Sequence, residues 1–211
     1  IGGVAASSSV ELDDCLIAYN QGFGVAGGRG PSGAKLTINN SVIALNTGYA
    51  VDATQWLENF LLSNSSISDN SFGIISGPGG SSVVLNSVFQ RNVNALAVGQ
   101  AYGSATVRGN TFSQNSGDVV ISVGAQNIDF ANNLVTANSA NVAAIKLTCY
   151  SEGILQCPGR VTSNIVAFNL FAPGTSTAAV QLASSTSFEH GILNNPHAAF
   201  ELLAPLVFYG L

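Results

Sequence analysis

Charge is scarce in this chain. Six Lys and Arg and eleven Asp and Glu stand among 211 residues, 8% where a soluble domain carries about a quarter. The six basic residues, Arg29, Lys35, Arg91, Arg108, Lys146 and Arg160, are scattered. A phosphate-tracking surface needs a basic stripe, so no nucleic-acid partner is expected. The polybasic route to a membrane fails for the same reason. No apolar run reaches transmembrane length; the longest, residues 202–211, is about half of it and contains Pro205, so direct membrane insertion is not expected either. Methionine is absent, and cysteine is limited to three. Cys149 and Cys157 sit in the longest insertion, where a disulfide between them fits an oxidising compartment. A zinc set would need more Cys or His nearby, and no metal or other cofactor is expected.

What the chain does have is a repeat. Asn20, Asn46, Asn70, Asn92, Asn115, Asn138 and Asn169 return every 22 to 31 residues, each closing the same short phrase. Three residues before each stand Ile17, Ile43, Ile67, Phe89, Phe112, Val135 and Val166. Eight before stand Leu12, Ile38, Leu62, Val84, Val107, Phe130 and Val161. Five after stand Val25, Val51, Ile75, Ala97, Val120 and Ala143, expected to be a third inward column. Five or six before lies a short polar residue, Asp14, Asn40, Asn64, Asn86, Asn110, Asn132 or Asn133, and Asn164; Cys15 shares that zone with Ser41, Ser65 and Ser87 as a small buried filler.

A period of this length marks a solenoid. Its apolar runs are short, β-branched or aromatic, and broken by Asn and Gly, which favours strands over helices. Three short strands per repeat make an all-β, right-handed parallel β-helix of seven to eight coils, with coils about 4.8 Å apart. The asparagines then stack as a ladder of amide hydrogen bonds, as in cross-β stacks, and supply bends through their tolerance of left-handed backbone. Coils occupy residues 1–175; residues 176–211 form an irregular last coil and a cap. The opening Ile1-Gly2-Gly3-Val4 reads as the third strand of a preceding coil, in a segment of something longer.

Nearly all length variation falls at one corner, after the third strand, and such an edge is often a binding face. Carbohydrate chemistry there would need two or three clustered carboxylates. The acidic residues instead fall in different columns. Asp13 and Asp14 are adjacent but are followed one coil later by Asn39 and Asn40. Asp69 stacks on Arg91, and Asp129 on Arg160, as surface ion pairs. Glu189-His190-Gly191 is similar to a step in β-helices that cut pectin, without their acidic constellation; His190 and His197 read as capping or surface residues. Trp56 and Tyr102, in corner loops, are candidate glycan contacts. Asn39 and Asn64 head glycosylation sequons; Asn39 is expected to face outward, and Asn64 to sit in the polar turn column.

Phe89-Gln90-Arg91-Asn92 and Phe112-Ser113-Gln114-Asn115 form an F-x-x-N phrase, with variants such as Ile43-Ala44-Leu45-Asn46. With the Gly-Gly element at residues 1–4, they resemble the parallel β-helix repeat family, and in particular the polymorphic outer-membrane protein type of repeat. That resemblance implies a secreted or cell-surface protein, commonly an adhesin or scaffold. The expected function is therefore a non-enzymatic extracellular module whose partners are other subunits or neighbouring domains, and glycans. The alternative is a carbohydrate-active enzyme using Asp13 and Asp14.

Overall fold

The computed structural model describes residues 4–6, 9–27, 35–54, 59–77, 80–149, 157–171, 178–183, 186–187, 192–194 and 199–202. These residues form a parallel β-solenoid. In one coil, strands Lys35–Asn39, Val42–Ala44 and Tyr49–Ala53 lie on three successive faces. Each pairs in parallel with its counterpart one coil on, as Ile43 does with Ile67. The second face is an eight-stranded sheet of three-residue strands, from Leu16–Ala18 to Ile192–Asn194. The first and third faces fuse into one sheet. They fuse because Leu96–Arg108 and Ser116–Ala131 run unbroken through the corner, where separate short strands were expected.

Stacking in register turns sequence columns into a core. Ile43, Ile67, Phe89, Phe112 and Val135 are fully buried in one column, and Ile38, Leu62, Val84, Val107 and Phe130 in another. Each such side chain contributes roughly 1.5–3 kcal/mol relative to exposure. The third column differs from the expected one. Val25, Val51, Val120 and Ala143 are buried as expected, but the residues in register with Val51 along the following strands are Ile74, Leu96, Ile121 and Ile145. Ile75 and Ala97 face outward instead. The distance from Asn to inward residue changes from coil to coil, so a fixed offset cannot follow it.

The asparagine ladder is present. Each Oδ1 from Asn46 onward accepts two hydrogen bonds from the preceding Asn, one from its backbone N–H and one from its Nδ2. Each Nδ2 from Asn70 onward also caps an inward carbonyl, such as that of Ile67 for Asn92 at 2.8 Å. A second ladder runs beside it: Cys15, Ser41, Ser65, Ser87, Asn110, Asn133 and Asn164, each backbone N–H donating to the next side-chain oxygen. Cys15 begins this ladder with a half-buried side chain rather than a buried one.

The left-handed bends do not belong to the ladder asparagines. They fall on the residue before each, Tyr19, Leu45, Asp69, Arg91, Gln114, Ala137 and Phe168, with φ between 54 and 60°. At the other corner they fall on Asp14, Asn40, Asn64, Asn86, Gly109, Asn132 and Ser163. Left-handed backbone costs a non-glycine residue roughly 1–2 kcal/mol. The ladder bonds on the following residue hold it there. Ala137 is exposed and lacks any side-chain contact worth keeping. Ala137→Gly is therefore expected to stabilise by roughly 0.5–1 kcal/mol after glycine's larger unfolded-state entropy is subtracted. Thermal unfolding followed by circular dichroism should show a Tm raised by roughly 2 °C.

Candidate functional site

Asp13 and Asp14 do not meet another carboxylate. Asp13 Oδ1 accepts from Asn39 Nδ2 at 2.9 Å and from Asn40 Nδ2 at 3.3 Å. Asp14 occupies the left-handed corner and points to solvent. Among the described residues, no three of His, Cys, Asp and Glu come together as a metal site would require.

Asp69 and Arg91 pair across neighbouring coils through two hydrogen bonds, Nε–Oδ1 at 2.6 Å and Nη2–Oδ2 at 2.8 Å. Those bonds hold the Asp69 carboxyl below its usual range, more than burial raises it. A carboxyl depressed in the folded state stabilises above its unfolded value, and that contribution is lost as pH falls through the folded value. The pair is largely solvent-exposed, so the effect is small. Asp69→Asn should leave neutral-pH stability nearly unchanged and remove a small acid-side slope in denaturant midpoints measured through the carboxylate range. Asp129 lies in register with Arg160, as expected, and Arg108, one coil back, forms an ion pair with it.

Among the described residues, a shallow concavity lies on the outer side of the third face, beside the variable corner. It is an open groove of about 180 Å³ with a floor of Ile75, Ala97, Gly99, Ser122, Gly124 and Thr148. Its floor follows from the register shifts: small outward residues fall on successive strands, leaving a furrow along the coil stack. Ser122 stands in register with Lys146, yet no hydrogen bond joins them. A nucleophilic serine needs its base within roughly 2.6–3.2 Å, so this pair is not an activated nucleophile. The groove offers hydroxyls and backbone edges for binding, and its lining holds no acid or base.

Phe23, Tyr49 and Phe72 form an outward aromatic stack, with centroid separations of 6.1 and 4.9 Å. The sequence reading missed it because these rings sit just before the shifted column. The rings turn their faces to one another, so they present edges rather than a platform for a sugar. Trp56 and the His190 and His197 pair lie outside the described residues, and the side chains of Tyr102, Cys149 and Cys157 lie outside them too. The expected disulfide and glycan contacts fall there.

Asn39 is half-buried and fully engaged: its Nδ2 donates to Asp13, and its Oδ1 accepts from Ser63 Oγ and Asn64 Nδ2. The hydroxyl its sequon needs, Ser41 Oγ, is buried in the second ladder. Asn64 is exposed at the corner. Of the two, Asn64 is the more accessible acceptor.

A family model described as a right handed beta helix region matches residues 3–171. No curated protein and no solved structure matches the chain.

Proposed function

The chain belongs to the right-handed β-helix family, and from that premise we propose that it is a structural or adhesive module of a cell-surface or secreted protein. One observation carries this reading. The polar side chains repeated from coil to coil are committed to holding one coil on the next: both ladders are buried beyond their first members, Cys15 and Asn20, and the amides of Asn92 and Asn115 are satisfied internally. Repetition here serves the length and stiffness of a rod. A fold by itself does not carry an activity. The F-x-x-N phrases, which resemble the outer-membrane type of repeat, support the surface reading. Neighbouring domains, other subunits and glycans are the partners such a module would take.

A second reading, a carbohydrate-active enzyme or a passive glycan binder, draws on the groove beside the variable corner. Incubation with a panel of acidic and neutral polysaccharides separates them. The structural reading expects no depolymerised product. Product that disappears in Asp14→Asn would overturn it. Retention on a polysaccharide without cleavage would favour passive glycan binding.

A further inference from the structure

The second face stands apart from the other two. Its outward columns contain no charged side chain across seven coils, whereas Glu11, Asp13, Arg108, Asp129 and Arg160 stud the first face. Its exposed aliphatics lie toward the two ends and at the centre, where Val88 is 42% exposed. Leu16 is 73% exposed and Ile165 48%; between them Val42 and Leu134 are 40% and 37%. Ser66 and Thr111 place hydroxyls on either side of Val88.

Read outward from Val88, that column is a palindrome. Val42 matches Leu134, Ser66 matches Thr111, and Leu16 matches Ile165. The neighbouring column follows the symmetry about Gln90 at two of its three pairs: Ser68 matches Ser113 and Ala18 matches Ala167, while Ala44 stands opposite Thr136. The corner beside it does so in its end positions, where Tyr19 is 77% exposed and Phe168 68%. A solenoid with near-constant coil spacing converts this sequence symmetry into a spatial one. A two-fold axis lying along the fourth strand, Val88–Gln90, superposes coil one on coil seven, two on six and three on five.

We propose that this face binds a second copy of the chain, with the two solenoids antiparallel and back to back. An isologous interface requires one patch to be complementary to itself; in the Val88 column aliphatic meets aliphatic at both ends and on the axis, and Ser66 meets Thr111 between. On the axis, Val88 meets the partner's Val88, and the Gln90 amides face each other. Arg91 meets the partner's Arg91 at the rim, each already held by its own Asp69. The eighth rung, Ile192–Asn194, projects past the partner's first coil. Seven rungs and six residues of strand and corner give a face of roughly 30 by 17 Å. That is about 500 Å² in projection and more in accessible area, near the small end of the roughly 800 Å² per partner of stable interfaces. The dimer is therefore concentration-dependent. The proposal is independent of the adhesive reading above.

Sedimentation across a dilution series from millimolar to micromolar tests it. The wild-type chain should pass from dimer to monomer, and a monomer throughout would overturn the proposal. Val88→Arg places two like charges on the axis and should raise the dissociation constant by at least about a hundredfold. Val142→Arg, exposed on the third face, should leave it unchanged. A dimer that survives Val88→Arg would place the interface elsewhere and overturn it. The orientation is read by mixing Leu16→Asp with Ile165→Lys. Each alone should dimerise poorly, and the mixture should form the heterodimer, because residue 16 of one copy faces residue 165 of the other. A mixture that dimerises no better than either variant would contradict the antiparallel arrangement.

Discussion

Asn92→Leu is expected to lower the Tm by roughly 10 °C, from a loss of about 3–5 kcal/mol. Asn92 is buried in the middle of its ladder. Its Oδ1 accepts the Asn70 backbone N–H at 3.1 Å and the Asn70 Nδ2 at 3.0 Å. Its Nδ2 donates to the carbonyls of Ile67 and Gln90 and to Asn115 Oδ1. Leucine has nearly the same shape and none of these groups. It would leave a buried N–H on Asn70 and a buried carbonyl on Ile67 without that partner, and each orphan costs roughly 1–3 kcal/mol. The same bonds pin Arg91 in its left-handed conformation, so the corner would loosen as well. Thr136→Ala, an outward position on the same face, is the control and should change stability by no more than about 0.5 kcal/mol. Thermal and urea unfolding of the two variants checks both. An unchanged Asn92→Leu would refute the stacked-amide role of the column.

Phe112→Ala is expected to cost about 3–5 kcal/mol. Phe112 is fully buried and stacks on Phe89 with centroids 4.6 Å apart and planes 16° from parallel. Its other neighbour in the column is Val135. Alanine would open a cavity bounded by stacked coils, and a coil cannot close it without shifting the register of both neighbours. Phe112→Leu, which keeps most of the volume, should cost no more than about 2 kcal/mol. Denaturant midpoints at constant slope would check the ranking. Equal losses for alanine and leucine would mean that the ring is not packed between coils. Each coil contacts only its neighbours, so the loss should stay local in hydrogen exchange, greatest over the coils of Phe89, Phe112 and Val135.

The period, the two deep columns and the ladder were legible in the sequence because each repeats at a fixed offset from an asparagine. The third column was legible only in part: Val25, Val51, Val120 and Ala143 are buried, and Ile75 and Ala97 are not. Ile74 and Ile75 are both isoleucine, and Leu96 and Ala97 are both apolar, so alternation could not say which of each pair turns inward. A one-residue slip moves a strand's whole pattern to its other side. That slip hid the groove floor at Ala97, Ser122 and Thr148. The bends at Asn40, Asn64, Asn86 and Asn132 fall on asparagine as expected, but those beside the ladder were misplaced for a different reason. Tyr19, Leu45, Arg91 and Phe168 have no turn propensity, and their left-handed backbone is imposed by the ladder bond on the residue that follows. The second ladder was half visible, since its acceptors change from serine to asparagine between Ser87 and Asn110.

Side-chain amide exchange, followed by NMR, bears most directly on the central claim that the repeated asparagines hold the coils together. The Nδ2 protons of Asn70, Asn92, Asn115 and Asn138 should exchange as slowly as the core backbone N–H groups, since both require opening of the coil stack. Those of Asn40 and Asn64, at the exposed corner, should exchange at once. Ladder amides that exchange as fast as Asn64 would contradict a buried, coil-to-coil chain of hydrogen bonds.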